Sequence, residues 1–320
     1  MAEPRVTAAM CAQTRGLAEP RLSADGRTVA FVATAAGQPA LVTVPVTGGP
    51  ERIVTADPVP SRGGVFDWLP DGSGLVYAGR DRALWVVRAS GGAPRRVAYH
   101  EAPIAAPAVS PDGTRVAYVI DQRDVAVASL LSGGPWPVRL SAGADFAADP
   151  SWSADGEFVA WHEWDVPHMP WDESRWAVAP ADGSGVVATM VREGVQVQQP
   201  RFAPVGSDLA FLSDASGWLN LWVFGPERDN EHPLVDEPFE HGGPTWGNGN
   251  RTHTWSPDGR RLAFTRNEQG FGRLCVVRLA DGDVGAVAKG VHSGLSWRGA
   301  TLAALRSGAV TPPQLVAYDT

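Results

Sequence analysis

The chain has 320 residues and carries 27 Lys and Arg against 35 Asp and Glu, a formal net charge of −8. An acidic chain without a basic run is a poor partner for phosphate backbones or anionic lipid, so neither nucleic acid nor a membrane is an expected partner. Glycine (36) and proline (27) make up about a fifth of the residues, less than in low-complexity chains but enough for many turns. Two cysteines, Cys11 and Cys275, stand far apart. No stretch near Met1 suits a signal peptide, and no run approaches the ~18 apolar residues of a membrane-spanning helix. A cytoplasmic location is expected.

One motif recurs in chain order. Pro20-Arg-Leu-Ser-Ala-Asp25-Gly is followed by Phe66-Asp-Trp-Leu-Pro-Asp71-Gly, Pro107-Ala-Val-Ser-Pro-Asp112-Gly, Pro150-Ser-Trp-Ser-Ala-Asp155-Gly and Thr254-Trp-Ser-Pro-Asp258-Gly. Two degraded copies, Pro200-Arg-Phe-Ala-Pro-Val205-Gly and Gly294-Leu-Ser-Trp-Arg298-Gly, bring the count to seven. The markers at 25, 71, 112, 155, 205, 258 and 298 lie 40 to 53 residues apart. Each copy continues into an apolar run such as Val29-Ala-Phe-Val32, then a second such as Leu84-Trp-Val-Val87. A Gly-Gly or Asp-Gly turn and a short last segment such as Arg95-Arg-Val97 follow. Asp-Gly and Gly-Gly are hairpin signals because glycine takes positive φ without a Cβ penalty.

Seven units of four antiparallel strands predict an all-β, seven-bladed propeller of TolB-like or WD40-like repeats over residues 17–320. A β-sandwich would not explain seven phased copies. Trp68, Trp152, Trp246, Trp255 and Trp297 precede or flank repeats, where their rings are expected to pack between blades. With strands A to D alternating, the A–B and C–D turns share one face of the ring, and the B–C turns and D–A connections share the other. The elaborate segments, 164–175, 214–218, 237–251 and 267–273, all fall on this second face.

Long loops carrying aromatics and charges on a rigid scaffold are where binding functions are placed. The candidates for substrate or domain contact are Glu163, Asp165, Trp171, Asp172, Trp218, Glu240, His241, Arg251 and Phe271. Two readings stay open for the blade-four loop. Glu163, Asp165, Asp172, Glu173 and Arg175 form ion pairs bracing it over a small core of Trp164, Pro170 and Trp171, or they face a ligand. Among the seven histidines, His162 and His168 do not have the helical H-E-x-x-H spacing; they read as loop and edge residues with satisfied hydrogen bonds. No metal and no cofactor is expected. A metal held by clustered histidines for β-elimination on uronates is a third-ranked alternative. G-x-S-x-G, a phosphate-binding loop and a dinucleotide fingerprint are all missing, so the chain by itself is not expected to be an enzyme.

Several segments resemble the N-terminal propeller of the S9 serine peptidases, the prolyl oligopeptidase, acylaminoacyl-peptidase and dipeptidyl-peptidase group. They are Trp161-His-Glu-Trp-Asp165-Val-Pro-His-Met-Pro-Trp171, Ser213-Asp-Ala-Ser-Gly-Trp-Leu-Asn-Leu-Trp222, Phe239-Glu-His-Gly-Gly-Pro-Thr-Trp246 and Arg266-Asn-Glu-Gln-Gly-Phe-Gly-Arg-Leu274. The Ser-Pro-Asp-Gly repeat itself is shared with TolB-like propellers. The resemblance implies a propeller that gates and positions short peptides for an α/β-hydrolase domain, which this sequence does not contain. It also implies that residues 1–16, with Val6, Met10 and Cys11 on one face of a short helix, pack on that domain. Within this reading, Glu163, Asp165 or Glu240 would pair with a peptide's amino group and Arg251 with a carboxylate. Repeat seven is expected to stop after its third strand, Gln314-Leu-Val-Ala-Tyr318, leaving an edge prone to self-association. The alternative is a stand-alone TolB-like interaction propeller.

Overall fold

A computed structural model describes residues 15–141, 143–185, 187–225 and 230–320. The helix expected within 1–16 therefore lies almost wholly outside the described residues, and Gly16 already pairs with Thr34 in the first strand. All regular structure among the described residues is β-strand, arranged as seven antiparallel sheets whose strands follow sequence order. Six sheets have four strands; the last has three, Val291–Arg298, Thr301–Gly308 and Thr311–Asp319. This is the expected seven-bladed propeller with an incomplete final blade.

The first strand of each blade is innermost. These A strands are Gly16–Leu22, Phe66–Trp68, Ile104–Val109, Phe146–Trp152, Val197–Phe202, His253–Trp255 and Val291–Arg298. Residues from all seven line one central cavity, which fixes the propeller axis.

The Ser-x-Asp-Gly repeat works through a small hydrogen-bond circuit. In blade 1, Ser23 Oγ donates to Asp25 Oδ1 (2.6 Å), Asp25 accepts from the Arg27 amide (3.1 Å), and the Thr28 amide donates back to Ser23 Oγ (3.1 Å). The circuit recurs at Ser110/Asp112, Ser153/Asp155 and Ser256/Asp258. Glycine follows because the chain turns at φ 69° in both Gly26 and Gly259. Local side-chain bonding of this kind makes the turn self-sufficient, so each blade can start without help from its neighbours.

Tryptophans then tie blades together. Trp68 Nε1 donates to the Arg21 carbonyl (3.0 Å), Trp152 Nε1 to Ala108 (2.7 Å) and Trp255 Nε1 to Arg201 (2.9 Å). Each bond joins the inner strand of one blade to the equivalent point on the preceding blade. Trp297 holds the matching position in blade 7, fully buried, with Arg261 over its ring at 4.9 Å. Trp246 departs from the expectation: it is 67% exposed and lies on the loop surface, because its segment connects blades rather than forming an inner strand.

Inner strands carry a further regularity that positions the site. Glu19, Ala106, Asp149 and Gln199 all sit at φ between 51° and 56°, each before a proline, while Gly64 and Gly294 take the same region at 63° and 65°. The pairing of A with B slips at these points in blades 1, 3, 4, 5 and 7. Such a bulge bends the strand and re-aims a side chain. A non-glycine residue held there costs of order 1 kcal/mol or more, so recurrence points to a role.

Candidate functional site

The elaborated face has the composition expected of it, with one correction. Segment 267–273 is not a loop: strands run through Glu268 and from Phe271, with a two-residue turn at Gln269-Gly270 whose φ values are 53° and 96°. The turn still presents Phe271, 69% exposed. In the adjacent blades, the B–C connections present Trp218 (43%) and Val166 (66%). An apolar rim therefore runs along consecutive blades four to six.

The blade-four loop is braced by charge. Glu163 is buried, accepting from Trp161 Nε1 (2.7 Å) and Arg175 Nε (2.8 Å). Arg175 also contacts Asp165 at 2.8 Å. Desolvation alone would raise the Asp165 carboxyl, but the Asp145 amide and the Arg175 guanidinium outweigh it and hold the pKa below the usual carboxylate range. Asp172 accepts from the Met169 amide (3.1 Å) and Glu173 from the Gly194 amide (2.8 Å). Trp164 is buried, stacked on Phe146 with centroids 5.1 Å apart. Trp171 instead meets Trp246 edge to face at 4.9 Å, joining this loop to the 237–251 connection.

Glu240 Oε2 accepts from the Leu219 amide (3.0 Å). His241 is fully buried: its Nδ1 accepts from the Leu221 amide (3.1 Å), which places the proton on Nε2, 2.8 Å from Glu237 Oε1. Arg266 closes the group on Glu237 at 3.1 Å. His162 and His253, both buried, are pushed down to about 3 chiefly by burial and stay neutral. The histidines do not converge: His162 packs on Trp164 and His241 on Phe264. Among the described residues no group of three or more His, Cys, Asp or Glu is placed to hold a metal. Arg251 lies inside the axial cavity, apart from the exposed aromatics.

No motif within 237–251 announces the connection's path. Segment 244–252 enters the ring and closes the axis on the elaborated side. The Asp149 amide donates to Asn248 Oδ1 (2.8 Å), and the Gly249 amide returns to Asp149 Oδ1 (2.8 Å). Gln199 Oε1 accepts from the Thr252 amide (2.9 Å), and Arg201 donates to the Asn250 carbonyl (3.1 Å). Gly249 presses against Gly64, where a Cβ would lie 2.5 Å from the Gly64 nitrogen. Glu19, on the opposite bulge, accepts from the Gly64 and Val65 amides (2.9 and 2.7 Å). Asp149 and Gln199 on the bulges of blades four and five thus hold a plug formed by the connection into blade six, while Glu19 ties blade one to blade two. Their sequence signal was the recurring X-Pro before each repeat.

Beside the plug, over blades two and three, opens a cavity of about 880 Å³. Trp246 and Asn248 form one wall; Arg62, Arg80 and Arg82 line the rest with Asp121, the sole carboxylate in the lining among the described residues. Arg82 is fixed by the Glu101 carbonyl (2.8 Å) and the Tyr99 ring (5.7 Å). The site combines a basic wall with an aromatic one, a chemistry suited to a ligand carrying carboxylate or carbonyl oxygens and an apolar body.

A seven-bladed propeller whose axis is plugged from one face defines the class of domain. The chain belongs to the family described as the lipoprotein LpqB beta-propeller domain, whose model matches residues 4–166. No curated protein matches it. Among solved structures it is similar to a puromycin-hydrolyzing peptidase of Mycobacterium tuberculosis, with TM-score 0.85 and 24% identity over 99% of this chain and 53% of that one. A puromycin hydrolase matches at TM-score 0.84 and 22% identity, over 99% of this chain and 54% of the other. An oligogalacturonate lyase in complex with manganese matches at TM-score 0.70 and 15% identity, over 94% and 88%. At these identities the likeness is one of fold. The chain spans about half the length of the two hydrolases.

Proposed function

We propose that this chain is the gating and substrate-positioning propeller of an S9-type serine peptidase acting on short peptides, inactive without its α/β-hydrolase domain. The observation that carries this reading is the match of nearly the whole chain to about half of a puromycin-hydrolyzing peptidase. The plug adds to it. With the axis closed by 244–252, a peptide reaches the catalytic domain along the elaborated face, past Trp246 and the cavity walled by Arg62, Arg80 and Arg82. Its proposed partners are that hydrolase domain and short peptides, in the cytoplasm. On its own the chain self-associates through the outer edge of Thr311–Asp319, to which no strand pairs among the described residues; mass rising with concentration in light scattering is its readout.

The test is to immunoprecipitate the endogenous polypeptide from its source cells with an antibody against the propeller and treat it with a fluorophosphonate probe. Covalent labelling of the captured polypeptide supports the reading. Capture without labelling overturns it and favours a stand-alone interaction propeller, the reading supported by the likeness to a protein assigned as TolB from Agrobacterium tumefaciens, over 76% of this chain and 86% of that one (TM-score 0.55, 18% identity).

A further inference from the structure

On the plain face, opposite the plug, the axis holds a second cavity of about 340 Å³. Its mouth is ringed by Ala24, Pro70, Pro111, Ala154 and Pro204, one from the A–B turn of each of blades one to five. Four arginines line it: Arg21, Arg201, Arg251 and Arg298. Among the described residues Asp67 is the only carboxylate in the lining, and its two oxygens are taken by the backbone amides of Trp68 and Val109, both at 3.0 Å. The protein as a whole is acidic, so three net positive charges gathered in one enclosed space are an inversion of the surrounding field.

These cations have few protein partners: Arg201 donates to the Asn250 carbonyl (3.1 Å) and lies 3.8 Å from Asp149, Arg298 donates to the adjacent Trp297 carbonyl (3.2 Å), and the Glu19 carboxylate is near enough to act on Arg21 and Arg251. Arg21 is 4% exposed and donates only to the adjacent Pro20 carbonyl (3.1 Å), leaving its Nε unpaired. The Nε atoms of Arg201 and Arg251 are likewise unpaired and buried. His253 is 1% exposed and neither of its ring nitrogens has a partner. Burial first, and the Arg251 charge second, push the Arg21 guanidinium down to about 9 and that of Arg201 down to about 10. Buried like charges whose donors are only partly satisfied are unfavourable unless an anion supplies further countercharge and acceptors.

We propose that the plain-face axial cavity binds a small multivalent phosphoryl oxyanion, held by Arg21, Arg201, Arg251 and Arg298. Guanidinium forks converging from blades one, five, six and seven match tetrahedral oxygens. The volume admits a phosphate or pyrophosphate group and excludes a folded partner. The site is separate from the elaborated face, so it stands or falls independently of the peptidase reading. An anion joining four blades, blade seven and blade one among them, also clasps the ring where the last blade meets the first.

The test uses the purified protein and its thermal midpoint. Phosphate and pyrophosphate are titrated against sodium chloride of matched ionic strength, with calorimetric titration of pyrophosphate for affinity. The expected result is a rise in midpoint with pyrophosphate greater than with phosphate and absent with chloride. Arg251→Gln is expected to weaken pyrophosphate binding at least tenfold while raising the midpoint without anion, because three neighbouring cations lose a like charge. Arg298→Gln, at the exposed mouth, repeats the loss in a variant whose fold is not in question. Arg88→Gln, an exposed position lining neither cavity, leaves binding unchanged. Equal midpoints in pyrophosphate and matched chloride would overturn the proposal, as would binding that survives Arg251→Gln and Arg298→Gln or disappears in Arg88→Gln.

Discussion

Glu163→Gln tests whether the blade-four loop is held by charge. Glu163 accepts from Trp161 Nε1 and Arg175 Nε at 2.7 and 2.8 Å and is 4% exposed. Glutamine has one oxygen for two donors, so its NH2 must face either the indole or the guanidinium. Hydrogen bonds to a charged group contribute about 1.5–3 kcal/mol. Asp165 keeps its 2.8 Å contact with Arg175 and offsets part of the loss, which leaves a destabilisation of about 2 kcal/mol. With an unfolding entropy of about 2.1 cal/mol/K per residue over 320 residues, that corresponds to a midpoint about 3 °C lower in differential scanning calorimetry. Hydrogen exchange should quicken at the 175–177 amides. An unchanged midpoint with altered peptide affinity would refute the bracing role and return Glu163 to the ligand-facing set.

Three further predictions follow from the blade joints, the turns and the plug. Trp152→Phe removes the 2.7 Å bond to the Ala108 carbonyl and should cost about 1–2 kcal/mol in urea unfolding; Trp136→Ala, 91% exposed, should stay within about 0.5 kcal/mol of the parent. Equal effects would contradict the interblade role. The Ser110 hydroxyl and the Thr114 amide and hydroxyl lower Asp112 to about 2, so its stabilisation is present above the unfolded carboxylate pKa and is lost as pH falls from about 4 towards 2. Discounted for solvent screening of an exposed side chain, Asp112→Ala should cost about 1 kcal/mol at pH 7 and progressively less as pH falls through the folded pKa; a cost independent of pH would exclude the carboxylate as its source. Gly249→Ala combines φ 95° with a Cβ 2.5 Å from Gly64 and should cost about 2 kcal/mol, with faster hydrogen exchange confined to 244–252. Uniform exchange changes would show that the segment is not a separate plug.

The blade count and the turns were legible because their chemistry is local. Ser23, Asp25 and Gly26 close their circuit within six residues, and an inner-strand tryptophan such as Trp255 repeats at a fixed offset from the turn. The axial features were not legible because their partners are remote. Asp149 and Asn248 meet across 99 positions of sequence, and Glu19-Pro20 does not state that a left-handed backbone turns its side chain to the axis. Arg251 shows the limit plainly. Its charge marked it as a ligand contact, but only the closure of seven blades reveals that it points into a space shared with Arg21, Arg201 and Arg298. Trp246 flanks a repeat as Trp255 does, yet it precedes the inner strand His253–Trp255 by too many residues to enter the interblade core.

The proposed peptidase role is tested most directly by the mass of the native polypeptide, resolved from its source cells and detected with an antibody against the propeller. If the match to 53% of a hydrolase reflects the parent architecture, the band lies near twice the 33.9 kDa of this chain. A band at 33.9 kDa would contradict it and make the propeller's own faces the whole of its function.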